Sequence, residues 1–277
     1  MKDSEPIPGG WESGRVETNE VDTHYVRTGG DDPPLVIAHG VYDDGLCRLP
    51  LARDLDDDHD VILYDARGHG RSDAPEGGYD SGTRAQDLIG LLDALDVEDP
   101  YLFGHSMGGD TVAAAAARRP DLPRAVALVE PAGLMYRNQD ADDVGTTPQE
   151  AAERIAWWHD HTKAELLEED DELRGYVANG RAELARLLAD ARLRVSPNVS
   201  AVFEADLGDP DELFPAIEAP TLVLRADVGS AARERDHDLV DPLPNVWLVR
   251  VDGAGHCVFR DEREAATREL RGFLEGT

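Results

Sequence analysis

Three residue types that together can carry out acyl transfer stand at positions where a fold could bring them together. Ser106 is the centre of Gly104-His105-Ser106-Met107-Gly108, between a short apolar run, Pro100 to Phe103, and an alanine-rich run, Thr111 to Ala117. That context predicts a serine at a strand-to-helix turn, held in a strained backbone conformation with its hydroxyl exposed. Strand and helix approach so closely there that the residues two before and two after must be small, and both are glycine. The turn also sets the hydroxyl beside a helix N-terminus, whose N–H groups can receive a negative oxygen. An activated serine needs a base that takes its proton and a carboxylate that orients the base. His256, in Asp252-Gly253-Ala254-Gly255-His256, is the candidate base: of nine histidines it alone occupies a glycine-rich loop late in the chain. His39 reads as a hydrogen-bonded structural histidine. His105 would point away from a serine on a sharp turn and is also read as structural, and Asp110 as an acid favoured by the helix dipole.

The elements that must position these residues are legible from hydrophobic runs. Val16 to Thr18 and His24 to Arg27 predict an antiparallel pair around Asn19-Glu20. Continuous apolar runs at 35–38, 61–64, 101–103, 125–129, 221–225 and 246–251 predict buried strands. They alternate with helical segments at about 46–55 and 83–95, one from the serine turn to Arg119, and one at about 261–274. This alternation predicts an α/β fold with a parallel sheet covered on both faces. From Gly133 to Pro220 the strand signal is absent. Trp157, Trp158, Leu166, Leu167, Leu184, Leu187 and Leu188 there follow helical spacing, so a helical insertion is expected over the sheet's C-terminal edge, where it would act as a lid. The expected division is a core of residues 1–133 and 216–277 with a cap insertion of residues 134–215.

Composition bounds the partners. The chain of 277 residues carries 58 Asp and Glu against 27 Lys and Arg, a net charge of -31. Nucleic acid and anionic membranes are poor partners for such a surface. The acids are spread along the chain rather than gathered in a tail, which predicts a halophile's surface, since at about 1 M salt the screening length falls to roughly 3 Å. Runs such as Asp56-Asp57-Asp58 lack the spacing of a calcium loop and are read as solvated surface, so no metal is expected. Cys47 and Cys257 suggest neither a disulfide framework nor a zinc site. Met1 to Gly10 lacks the basic start and apolar stretch of a signal peptide, and no apolar run approaches a membrane span. A soluble cytoplasmic protein is expected, its oligomeric state open.

These motifs together resemble the α/β-hydrolases of the esterase, lipase and carbon–carbon hydrolase group. The likeness runs from Pro33 onward, through His39-Gly40, Asp65 to Ser72, the Ser106 turn and Gly253-Ala254-Gly255-His256. It implies a mostly parallel eight-stranded sheet, helices on both faces, a helical cap, and catalytic residues in the order serine, acid, histidine. It places the oxyanion donors at the backbone N–H groups of Val41 and Met107. The Arg67 to Ser72 stretch has glycines but no phosphate-loop lysine, so it is read as a structural turn. Most members carry the acid a few residues beyond the penultimate strand, where this chain has Asp227 and, at the expected position, Ser230. Others place it directly after the strand that follows the nucleophile's helix, where this chain has Glu130. Glu130 is preferred, with Asp227 and Asp236 as alternatives. The expected function is cofactor-free hydrolysis of a carboxylic ester or similar acyl bond of a small substrate through an acyl-enzyme. Carbon–carbon hydrolysis of a diketone or dienol is the rival, and a small-molecule receptor with a slow triad the alternative of another class. Tyr42, Tyr136, Trp157 and Trp158 are candidate pocket residues.

Overall fold

The computed structural model describes residues 7–138 and 145–277, so residues 1–6 of the polar start and residues 139–144 within the expected insertion lie outside it. Eight strands form one sheet: β1 (Glu12–Thr18), β2 (Val21–Arg27), β3 (Pro34–Ala38), β4 (Asp60–Tyr64), β5 (Tyr101–His105), β6 (Ala125–Val129), β7 (Thr221–Arg225) and β8 (Val246–Arg250). Their order is β1-β2-β4-β3-β5-β6-β7-β8. The pairs β1·β2 and β2·β4 are antiparallel and the rest parallel. At the opening hairpin Asn19 and Glu20 both take positive φ, 45° and 66°, the two-residue turn whose twist matches that of the strands it joins.

The central strands are buried on both faces, and their alternate residues enter two cores. Leu35 and Ile37 of β3 and Phe103 of β5 pack with α1 (Leu49–Leu55) on one face. Val36 and Leu102 pack on the other with α2 (Ser81–Ala94) and α3 (Met107–Arg118). The segment expected to be one helix from about residue 46 begins as a 3₁₀ turn, Gly45–Arg48, with Pro50 in the first turn of α1. Proline is tolerated there because its missing N–H would have no partner one turn back.

Between β6 and β7 the chain is helical among the described residues: α4 (Ala132–Arg137), α5 (Pro148–His159), α6 (Lys163–Glu169), α7 (Asp171–Ala178), α8 (Ala182–Arg194) and, after a 3₁₀ turn at Pro197–Phe203, α9 (Pro210–Ala216). Helices α5 and α6 each start in a capping box, Thr147 with Glu150 and Thr162 with Glu165; the side chain at one end satisfies the amide at the other. Leu166, Leu173, Leu184 and Leu188 are buried in the same core as α2 and α3. Beyond β7 comes α10 (Ser230–Val240), to which sequence reading assigned no element; only two apolar residues at its end, Leu239 and Val240, join the core. The closing helix is split into α11 (Val258–Asp261) and α12 (Arg263–Leu274), with Glu262 at φ -127°, ψ 57°, outside helical geometry, between them. Among the described residues no helix is long and apolar enough to cross a membrane.

Candidate active site

Ser106 stands between β5 and α3 at φ 54°, ψ -120°, a conformation that costs a non-glycine residue of order 1–3 kcal/mol and persists only where the surroundings enforce it. They do so here. The Ser106 amide donates to the Val129 carbonyl at 2.9 Å, and the Ser106 carbonyl accepts from the Gly109 amide at 2.8 Å. A Cβ on Gly104 would fall 2.3 Å from the Gly108 carbonyl oxygen, and one on Gly108 2.4 Å from that of Ala38. Both neighbours are backbone and cannot yield, so the two glycines are sterically required at this turn. Met107 is the first residue of α3, and its amide is one of the helix-start donors with no partner one turn back. Val41 lies in the loop after β3, which closes with the Asp43 amide donating to the Gly40 carbonyl at 3.2 Å; the next residue, Tyr42, sits at φ 69°.

The loop after β8 brings His256 to the same cavity as Ser106, at the C-terminal edge of the sheet. It is anchored from both sides: the Asp227 amide donates to the Ala254 carbonyl at 3.0 Å, and the Gly255 amide to Asp261 Oδ2 at 2.9 Å. Glu130 follows β6 directly, at φ 45° before Pro131, and is 2% exposed. Its Oε2 lies 3.6 Å from His256 Nδ1. Its Oε1 accepts from the Ala226 amide at 2.6 Å and from Arg225 Nη1 at 2.7 Å. A separation of 3.6 Å is an ion-pair contact short of a formed hydrogen bond, and catalytic hydrogen bonds commonly tighten only once substrate is bound. The other acids weighed from sequence face elsewhere. Asp227 is half-exposed and pairs with Arg233. Asp236 is fully buried between Arg225 and Arg250, at 3.1 and 2.7 Å. The structure thus brings Glu130, and neither Asp227 nor Asp236, to His256.

The remaining polar residues of the motifs are accounted for by packing. His39 Nε2 accepts from the Ala66 amide at 3.0 Å, leaving Nδ1–H for the Gly40 carbonyl at 2.8 Å; burial holds its pKa below the usual imidazole value. Asp65 accepts from the Gly45 and Arg71 amides, both at 2.8 Å, and its carboxyl lies where a Cβ on Gly70 would fall. That stretch is a turn locked by one carboxylate. Asp110 is in the first turn of α3 and buried: its Oδ1 accepts from the Gly133 amide at 2.9 Å, tying α3 to α4, and burial raises its pKa to about 7.

The cavity over these residues has a volume of about 410 Å³. Its floor is Val41, Ser106, Met107 and His256; Arg154, Glu172, Arg192 and Phe203 reach it from the segment between β6 and β7. Tyr42 and Tyr136 line it, as does Cys257. The tryptophans do not: Trp158 is buried with its ring 4.9 Å from that of Tyr42, and Trp157 is 38% exposed and packs on His161. Sequence reasoning missed Arg154 and Arg225. Arg225 ends a strand that reads as apolar, and only the buried acids on either side of it reveal why a cation is tolerated there. Arg154 lies on the exposed side of an amphipathic helix, where an arginine carries no signal of its own.

A mostly parallel eight-stranded sheet with a strained serine after its fifth strand, a buried carboxylate after the sixth and a histidine loop after the last is the frame of a class of α/β enzymes built for hydrolysis. A family model described as the alpha/beta hydrolase fold matches residues 33–262, and the chain belongs to that family. It is similar along nearly its whole length to a 2-(acetamidomethylene)succinate hydrolase of Mesorhizobium japonicum, at 29% identity over 270 residues and 95% of each chain. It is 26% identical over 269 residues to an N-formylmaleamate deformylase of Pseudomonas putida, covering 95% of this chain and 96% of that one. Among solved structures, the enol-lactonase from Burkholderia xenovorans LB400 superposes with a TM-score of 0.71 at 25% identity, over 95% of this chain and 100% of that one.

Proposed function

We propose that this protein is a serine hydrolase that cleaves an acyl bond, an ester or an activated amide, in a small substrate bearing a carboxylate. The observation that carries the reading is the convergence of Ser106 and His256 on one cavity, with buried Glu130 behind the histidine. In this reading Ser106 Oγ attacks the acyl carbon and its proton passes to His256 Nε2. Glu130 steadies the imidazolium through Nδ1, and the Val41 and Met107 amides hold the tetrahedral oxyanion. His256 then gives the proton to the leaving alcohol or amine. A water deprotonated by the same nitrogen releases the acyl group and restores Ser106. Each oxyanion donor would contribute about 3 to 4 kcal/mol to the transition state.

The carboxylate enters the reading through Arg154. Arg192 and Arg260 on the same cavity are paired with Asp170, Glu172 and Asp43, whereas Arg154 has no carboxylate within ion-pair distance among the described residues. Its charge acts on Glu150, one turn back on α5 and beyond ion-pair distance, and on Tyr42, whose hydroxyl is buried without a hydrogen-bond partner among the described residues. Burial pushes the Tyr42 pKa up to about 12, so it stays a neutral donor. A guanidinium and a phenol facing one cavity fit an anionic group of the substrate. The names of the two sequence relatives support the same class, since succinate and maleamate are both carboxylates. The enol-lactonase supports an ester as readily as the other two support an amide.

Arg154→Gln tests the substrate class. With a monoester of a dicarboxylic acid, KM is expected to rise about 30-fold, the equivalent of about 2 kcal/mol for one charge-assisted hydrogen bond. With the matching neutral diester it should be unchanged. Equal effects on both esters would remove the carboxylate from the reading and leave the hydrolase. The acidic surface sets the conditions, and the assays belong in about 2 M salt, where the self-repulsion of the folded state is screened.

A further inference from the structure

His105, immediately before the candidate nucleophile, makes contacts that a filler residue would not need. It is buried, its ring 4.9 Å from that of His256. Arg48 Nη2 donates to His105 Nδ1 at 2.6 Å, and His105 Nε2 lies 2.9 Å from the backbone carbonyl oxygen of His256. An arginine only donates, so Nδ1 must be the acceptor; Nε2 then carries the hydrogen and donates it to the His256 carbonyl. The tautomer is fixed by its two partners. Burial first, then the charge of Arg48, hold the His105 pKa well below the usual imidazole value, so the ring remains neutral in this arrangement.

Arg48 is itself held. Asp43 Oδ2 accepts from Arg48 at 3.1 Å, and the other Asp43 oxygen accepts from Arg260. Arg260 Nη1 lies 3.7 Å from Glu172 of α7, and Glu172 also pairs with Arg192 of α8. A row of alternating charges, buried except at the half-exposed Glu172, therefore runs from the helices between β6 and β7 to the loop of the candidate base. Each charge in it has an ion-pair partner, while Arg48 Nε is buried without a hydrogen-bond partner among the described residues. Gly40 completes the packing, because a Cβ there would fall 2.9 Å from His105 Nδ1.

We propose that His105 is a positioning residue for the base: its Nε2–H clamps the main chain of His256, while Glu130 orients the ring. The proposal rests on the serine hydrolase reading for its effect on turnover but not for its effect on the loop. A 1 Å misplacement of a catalytic group can cost on the order of 10²-fold in rate, and the clamp acts on the backbone carrying the imidazole.

Three variants separate a clamp from simple packing. In His105→Gln the amide nitrogen can take the place of Nε2 and keep the donor. His105→Asn has the same polar group but is one bond too short to reach the His256 carbonyl, and His105→Leu has none. Hydrogen exchange of the amides at 253–257 is expected to stay near wild type in the glutamine variant and to quicken about tenfold in the other two. On a cleaved ester, kcat should fall on the order of 10²-fold in the asparagine and leucine variants at unchanged KM, and less than fivefold in the glutamine variant. If the leucine variant does not fold, the glutamine and asparagine pair carries the comparison. Equal loop exchange in that pair would overturn the proposal. Should the exchange pattern hold in a protein whose Ser106 is unreactive, the hydrolase reading fails and the clamp stands.

Discussion

Glu130→Gln is expected to lower kcat about 10⁴-fold, while Asp227→Asn changes it less than threefold, measured on the same ester at saturating substrate. The substitution preserves shape and removes both the charge and one acceptor. Glu130 Oε1 is committed to two donors, Arg225 and the Ala226 amide. A glutamine would therefore direct its carbonyl oxygen there and turn its NH₂ toward His256 Nδ1. Facing a donor, Nδ1 would have to accept, and Nε2 would carry the hydrogen, the wrong tautomer for taking a proton from serine. Asp227 offers no such coupling: it is half-exposed, paired with Arg233, and joined to the histidine loop only through its backbone amide. A reversal of the two effects would move the acid to Asp227 and leave Glu130 as a structural partner of Arg225.

The largest loss is expected from Ser106→Ala, about 10⁶-fold in kcat with little change in substrate binding. The methyl group keeps the Cβ that the turn already accommodates at φ 54°, so the fold and the cavity should persist. What remains is rate from the oxyanion donors and from holding substrate, typically 10³- to 10⁴-fold over water. Near-equal rates in the two proteins would show that Ser106 is not the attacking group, and water activated by His256 would then be the alternative to examine.

Much of this site was readable because its chemistry demands local signatures. The glycines around Ser106 are dictated by contacts of 2.3 and 2.4 Å with backbone that no side chain could share. The apolar runs predicted β3 to β7 because these central strands are buried on both faces. The acid was less legible: Glu130 and Asp227 both end strands, and what separates them is the direction each side chain takes, which depends on Arg225 and Arg233. Of the charged residues around the base, Arg260 lies 217 residues from Asp43, which Arg48 follows by 5, and each alone resembles ordinary surface. Helix α10 escaped because it has no continuous apolar face: Asp236, Leu239 and Val240 tie it to the sheet and core.

If Ser106 is an activated nucleophile, an organophosphorus probe will label it. The purified protein would be treated in about 2 M salt and the adduct located by mass spectrometry, with Ser106→Ala as control. One phosphyl group per chain is expected, on Ser106, and none on the variant. A folded protein that takes no label, or takes it on another residue, would rule out an activated Ser106 and favour a small-molecule receptor built on the hydrolase frame.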